Sequence, residues 1–267
     1  MNKVFVNSLP KSGTNLLAKC LLLFGYKERG HISAGTILDS TLRAFIRRLL
    51  WKCDSDGYLL GVNSPVMVRK AAIDSILRKV KNNQFISAHV GYQQELLDAV
   101  INNGFTPIQV IRDPRAVLAS FVPYVLADKN HFLHKLFKSL PMEERYQAVL
   151  DGVTENKLTQ RSLQECCEAL NPWLNTEGVI VVKFEDIVGS QGGGSDETRI
   201  KVLEEIADAL NIPRELIPSV ADNLYGPGRH TFRKGRIDSW KDEIPAPVLE
   251  RISNEMSDIL NKWGYEK

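Results

Sequence analysis

Lys11, Ser12, Gly13 and Thr14 stand in the run Leu9-Pro-Lys-Ser-Gly-Thr14, between an apolar stretch that begins at Lys3 and a mostly apolar segment from Asn15 to Phe24. The pattern predicts a strand, a turn punctuated by Pro10 and Gly13, and a helix that Thr14 or Ser12 can cap. The first N–H groups of a helix lack intrahelical partners, and the helix dipole places partial positive charge beside them. With the full charge of Lys11 added, these groups make an anion site, and its ligand carries phosphate or sulfate. Residue order separates this loop from a Walker A loop, G-x-x-x-x-G-K-[ST], in which the Lys follows the second Gly. Here Lys11 precedes Gly13, and no Gly stands five before a Gly-Lys pair.

Two further constellations could meet the same ligand. In Val110-Ile-Arg-Asp-Pro-Arg-Ala-Val-Leu-Ala-Ser-Phe121 a strand ends at Ile111, Arg112 leaves its carboxyl end, Pro114 opens a helix and Ser120 lies two turns on. Open α/β sheets bind ligands at strand carboxyl ends, and an Arg beside a Ser hydroxyl can clamp a phosphate. The alternative is that Arg112 pairs with Asp113 or another carboxylate as a structural bridge. Phe232-Arg-Lys-Gly-Arg-Ile-Asp-Ser-Trp-Lys241, after Tyr225-Gly-Pro-Gly-Arg-His230, gathers cations around Gly235 on irregular backbone. Charge runs are usually solvated surface, but the glycines and aromatics suit a loop that folds over a ligand. His89 ends a second strand, where a lone His is more often structural than catalytic.

The elements that must hold these groups follow from pattern. Gln84–His89 and Thr106–Ile111 read as strands, Glu95–Asn102 as a helix closed by Gly104, and 68–81 as another helix. Residues 36–52 place Leu42, Phe45, Ile46, Leu49 and Leu50 against Arg43, Arg47 and Arg48 at helical spacing. That basic face could meet a membrane or an acidic acceptor, although a solvated helix face is the commoner explanation. From Arg115 to Asn175 the pattern is helical with a polar break at 128–138, and Val179–Phe184 reads as a strand buried on both faces. The run Gly189-Ser-Gln-Gly-Gly-Gly-Ser-Asp196 lacks Lys or Arg and reads as a flexible surface loop rather than a phosphate cradle or a linker. Helices follow over Glu197–Leu210 and from Pro247 to Trp263. Strands alternating with helices imply a parallel sheet.

Composition bounds the function class. A chain of 267 residues could be one large α/β domain or two small ones, and 43% hydrophobic with 25% charged content supports a packed core rather than disorder. The net charge of +2 gives no global pull toward nucleic acid or an anionic membrane, so any basic site is local. Cys20, Cys53, Cys166 and Cys167 show no C-x-x-C spacing and no His at zinc-site intervals, so neither a metal nor a disulfide framework is expected. Asn7, Pro10 and Lys11 interrupt the N-terminal apolar run, unlike a signal peptide, and no apolar stretch reaches about 18 residues. The expectation is a cytoplasmic protein without a transmembrane segment.

Pro10-Lys-Ser-Gly-Thr14 resembles the 5′-phosphosulfate loop of the sulfotransferases that use 3′-phosphoadenosine-5′-phosphosulfate (PAPS). Arg112 with Ser120 eight residues on resembles that family's 3′-phosphate motif, and Arg233-Lys-Gly235 with Trp240-Lys241 its R-K-G-x-x-G-x-W-K signature. The three motifs lie in family order between residues 7 and 241. The resemblance implies one α/β domain over 1–267, with a central parallel sheet flanked by helices and a P-loop nucleotide-kinase-like design. It implies in-line transfer of a sulfuryl group to a hydroxyl or amine of a small-molecule acceptor, with adenosine 3′,5′-bisphosphate (PAP) leaving and no metal. Backbone groups of Ser12, Gly13, Thr14 and Asn15 would hold the 5′-phosphate, and Arg112, Ser120, Arg233, Lys234 and Gly235 the 3′-phosphate. Lys11 would stabilise the leaving oxygen. Cytosolic members place a Lys-Thr-His base where His89 stands, which makes His89 the candidate base; His230 is the fallback, and His31, His131 and His134 match no motif.

Several positions depart from the family pattern. Leu16 replaces a Trp near the adenine, Ser87 and Ala88 replace the Lys and Thr before the base, and Asp238 replaces the second Gly of the C-terminal signature. The dimer motif survives only as Lys241 and Glu250, which leaves the oligomeric state open. The carboxylates of Phe184-Glu-Asp186 read as structural. Two other functions stay in view: a nucleotide or small-molecule kinase on the same fold, and a bisphosphate-binding module without transferase activity.

Overall fold

In a computed structural model, which describes residues 2–38, 41–155, 158–226 and 235–265, the chain is an α/β structure built on a five-stranded parallel sheet. Its first half runs β1 (Lys3–Ser8), α1 (Thr14–Leu23), β2 (Lys27–Ile32), α2 (Gly35–Leu38), α3 (Leu42–Trp51), β3 (Gly57–Leu60), β4 (Val66–Arg69), α4 (Lys70–Lys79), β5 (Gln84–Ala88), α5 (Gln94–Asn102) and β6 (Phe105–Ile111). Then come α6 (Pro114–Ala127), α7 (His134–Ser139), α8 (Met142–Asp151), β7 (Val153–Glu155), β8 (Leu158–Gln160), α9 (Leu163–Leu174) and β9 (Ile180–Lys183). The chain closes with α10 (Phe184–Ile187), α11 (Asp196–Leu210), α12 (Ile217–Leu224), α13 (Trp240–Glu243), α14 (Ala246–Glu255) and α15 (Ser257–Trp263).

The sheet order is β2-β5-β1-β6-β9. β1 sits at the centre because both of its faces are apolar, and its alternate residues feed two cores. Phe5 packs with Trp173, Ile86 and Ile111 on one face, while Val4 and Val6 pack with Leu17, Leu21 and Leu203 on the other. All neighbours are parallel, so β1, β5 and β6 present their carboxyl ends, at Ser8, Ala88 and Ile111, on the same edge of the sheet. Lys11, His89 and Arg112 follow those ends within a few residues.

Several elements differ from their sequence patterns, each for a physical reason. The strand at Ile180–Lys183 is an edge strand with only Val182 buried, so it is not covered on both faces. β2 is the opposite edge; its sequence Lys-Glu-Arg-Gly-His-Ile carries charges that suit solvent, and no apolar alternation announces it. Residues 66–69 pair with 57–60 as a hairpin, which takes Val68 and Arg69 out of the expected helix. The hairpin β7–β8 likewise interrupts the expected helical middle, and the C-terminal helix divides into α14 and α15.

The glycine run is surface-exposed at Ser190, Gln191, Gly193, Ser195 and Asp196, but Gly189 and Gly192 are buried and packed. Gly192 is buried; a Cβ there would stand 2.7 Å from the Gly235 carbonyl oxygen, and Ile237 N donates to Gly192 O at 3.0 Å. Side-chain-free backbone is what lets the segment from Gly235 onward lie against it.

The start of α6 is fixed by charge. Asp113 accepts from the Arg115 amide at 2.8 Å and pairs with the Arg115 guanidinium at 2.8 Å, with both side chains less than a tenth exposed. That guanidinium also lies 4.2 Å from the ring centre of Trp240. Asp113→Ala removes a helix cap and the buried carboxylate that pairs with Arg115, so it should lower unfolding free energy by about 3–5 kcal/mol, measured by urea denaturation.

Candidate active site

The loop after β1 owes its shape to two residues in the left-handed region: Lys11 at φ 74° and Gly13 at φ 102°. For Lys11 this conformation is strained, and such strain is retained where neighbouring structure holds it. At Gly13 a side chain has no room, since a Cβ would lie 2.7 Å from Phe184 Cδ2. Neither Thr14 nor Ser12 caps α1. Gly13 is the cap residue and supplies no side-chain bond, while Thr14 Oγ1 bonds Ser8 Oγ at 2.6 Å. The helix ladder begins with Leu16 N donating to Gly13 O at 2.9 Å, so the amides of Gly13 to Asn15 make no ladder bond, whereas Ser12 N, expected at the phosphate, donates to Leu9 O at 3.1 Å. Ser12 Oγ is fully buried with no hydrogen-bond partner among the described residues. An uncapped helix start beside the Lys11 side chain, both lining one cleft, fits an anionic group.

Arg112 does not pair with Asp113, whose partner is Arg115. Its guanidinium instead donates to Lys11 O at 3.2 Å and Arg236 O at 3.0 Å, and stacks 4.1 Å from the Phe184 ring centre. It therefore joins the first loop, the C-terminal segment and α10. Asp238, the departure that would set a carboxylate near an anion, is neutralised by Lys241 at 3.0 Å. Glu185 accepts from Asp113 N at 3.1 Å and from the Tyr265 hydroxyl at 2.6 Å, a structural use.

His89 hangs over the same edge. Its Nδ1 lies 2.8 Å from Ser8 O, and since a carbonyl can only accept, Nδ1 carries the proton and Nε2 keeps its lone pair. Burial, then nearby His31 and Lys11, lower its pKa from 6.5 to about 3, against a weaker opposing effect of the Ser8 carbonyl. The ring is therefore neutral throughout the working range, further from neutrality than a tuned base near pH 7. His31, which matches no motif, stands edge-on to His89 with centroids 4.7 Å apart and bonds Ser87 Oγ through Nδ1 at 3.2 Å. The register places His31 opposite Ser87, so the Ser that replaces the family Lys positions a second imidazole. Only the pairing of β2 with β5 could have revealed it.

These groups converge. One cleft of about 900 Å³ is lined by Lys11, Gly13, Thr14, Asn15, Leu16, His31, His89, Arg112, Ser120 and Gly235. Arg233, Lys234 and His230 lie outside the described residues. Its far wall is aromatic: Phe121, Tyr124, His131 and Phe132. His131 Nδ1 accepts from Leu133 N at 3.2 Å, and burial lowers its pKa to about 4, so this wall too is uncharged. The Lys11 ammonium lies 4.7 Å from the Tyr124 ring centre, between the anion loop and the aromatic wall. Among the described residues no group of three or more His, Cys, Asp or Glu could hold a metal ion.

No family model matches the sequence, and no curated protein matches it either. Solved structures do. Mouse sulfotransferase SULT7A1 complexed with PAP superposes with a TM-score of 0.61 at 15% identity, over 97% of this chain and 85% of that one. Retinol dehydratase in complex with retinol and PAP gives 0.60 at 15% identity, over 97% and 81%. The same enzyme with androsterone and inactive cofactor PAP gives 0.56 at 14% identity, over 97% and 80%. This chain has the sulfotransferase fold. At such identity the likeness carries the architecture, and residue roles rest on the site itself. Among the described residues no helix is long and apolar enough to cross a membrane.

Two outcomes follow from this geometry. Gly13→Ala strains φ and drives a Cβ into Phe184; calorimetry should find PAP binding weakened by about tenfold or more in a protein whose circular dichroism is retained. His89 and His131 have folded pKa values below the unfolded 6.5, so the unfolded chain binds more protons as pH falls. Urea-determined stability should be level above about pH 6.5 and decline progressively below it, with a shallower decline in His131→Gln.

Proposed function

We propose that this protein transfers the sulfuryl group of PAPS to a hydroxyl, or amine, of a small-molecule acceptor, releasing PAP. The observation that carries this reading is the convergence on one cleft of an uncapped helix start, a loop lysine, a bridging arginine and a neutral histidine with a free lone pair. PAPS enters as substrate, and its phosphate at the 5′ end suits the amides of Gly13 to Asn15 at the start of the first helix. The 3′-phosphate falls to Arg112 and Ser120, with Gly235 and, by resemblance, Arg233 and Lys234. Leu16 offers the adenine an apolar contact in place of an aromatic stack.

In the transfer step the acceptor oxygen forms a bond to sulfur while the bond from sulfur to the bridging phosphate oxygen breaks. The acceptor proton passes to Nε2 of His89, and the electron pair of the broken bond stays on PAP. Charge grows on that bridging oxygen, where the Lys11 ammonium stabilises it. The imidazole of low basicity takes the proton late, once S–O bond formation has made the acceptor oxygen acidic. The aromatic wall around Phe121 and Tyr124 suits an acceptor with an apolar body.

Incubation with radiolabelled PAPS and a panel of phenols, alcohols and amines should yield a labelled product. Lys11→Ala should lower turnover by about 100–1000-fold and His89→Ala by about 100–10,000-fold. Turnover with ATP and magnesium but not PAPS would replace this reading with a kinase. Because His89 stays unprotonated down to about pH 3, kcat/KM should show no acid limb near pH 6.5. A loss of rate centred at pH 6.5 would contradict the lowered pKa of His89, and His89→Ala turnover within a few-fold of the parent would remove it from the role of base.

A further inference from the structure

Among the described residues, half of the exposed large apolar side chains, five of ten, collect on α3. Leu42, Phe45, Ile46, Leu49 and Leu50 are 74, 51, 46, 67 and 63% exposed. At the helical rotation per residue they form one continuous arc of about 140°. Ala44 is buried and Trp51 half-buried on the opposite side, so it is the small protein-facing edge that packs. Arg43 and Arg47 border the apolar arc on one flank, Arg48 and Lys52 on the other, and residues 41–53 include no carboxylate. An ordinary surface helix turns its apolar stripe inward and its charges outward. Here the apolar stripe faces out between two rows of cations.

The helix is nonetheless firmly built. Thr41 Oγ1 accepts from Ala44 N at 3.1 Å, and beyond its end Cys53 N donates to Met67 O at 3.2 Å. It also flanks the cleft, whose lining includes Leu38, Thr41 and Arg47.

We infer that α3 seats the protein on an anionic lipid surface. The apolar arc enters the boundary between headgroups and acyl chains, and the flanking cations lie among the phosphates, which places the cleft beside the surface. Charge decides between this occupant and a second copy of the chain. In a two-fold contact through α3 the arginine rows would meet one another without a carboxylate, whereas anionic headgroups neutralise them. The net charge of +2 gives no such attraction by itself; it is the local arrangement that does.

Flotation of the full chain with vesicles tests the inference. Vesicles of phosphatidylcholine with phosphatidylglycerol should bind it at least about tenfold more tightly than phosphatidylcholine alone, and high salt should weaken the binding. Leu49→Ser with Leu50→Ser, and separately Arg43→Gln with Arg48→Gln, should each cost at least about tenfold in vesicle affinity. Arg43, Leu49 and Leu50 are exposed, Arg48 is half-buried and none of the four lines the cleft, so thermal unfolding and circular dichroism should match the parent. Absence of binding by the parent, or equal binding by parent and variants, overturns the inference. So does a dimer in sedimentation that the Leu49 and Leu50 substitutions dissolve while no vesicle binding is seen. Failure of the parent to bind PAP would refute the nucleotide reading and leave the vesicle result untouched.

Discussion

The guanidinium of Arg112 ties together three stretches of chain that are far apart in sequence. It donates to the carbonyls of Lys11 and Arg236 and rests on the ring of Phe184. Charge-assisted bonds to carbonyls in a nearly buried position are strong enough to hold a loop in an unfavourable conformation. Lys11, at positive φ, is such a loop residue, and Gly13 beside it packs on the same Phe184. One side chain thus sets the distance between the helix start after the first strand and the C-terminal segment. A nucleotide with phosphates at both ends of its ribose requires that spacing to be fixed before it arrives.

The sheet makes this arrangement possible. Central β1 is buried on both faces, its neighbours run parallel, and their carboxyl ends deliver Lys11, His89 and Arg112 to one edge. The glycine run supports the C-terminal segment from behind. Gly192 receives Ile237 N and lies against Gly235, so a stretch that reads as flexible by composition is the seat for the C-terminal segment.

Much of this was legible in the sequence because it depends on short-range pattern. The β1 to α1 turn is announced by Pro10, Gly13 and the apolar runs beside them, and the strand ends before His89 and Arg112 by β-branched stretches. What could not be read depends on pairing across the chain. β2 is a polar edge strand whose existence rests on β5, and His31 gains its place beside His89 only through that pairing. The partner of Asp113 proved to be Arg115 rather than Arg112, a choice between two neighbours that only the direction of the helix settles. The apolar residues of α3 followed a helical period, yet period alone does not say which face turns inward; the structure turns them out.

The central claim is that the cleft is built for a nucleotide phosphorylated at both ends. Its most direct test is a calorimetric titration of the protein with PAP and with adenosine 5′-phosphate, which lacks the 3′-phosphate. Charge-assisted bonds of about 1.5–3 kcal/mol each at the second phosphate predict that PAP binds at least about tenfold more tightly. Equal affinities, or no binding of PAP, would contradict it.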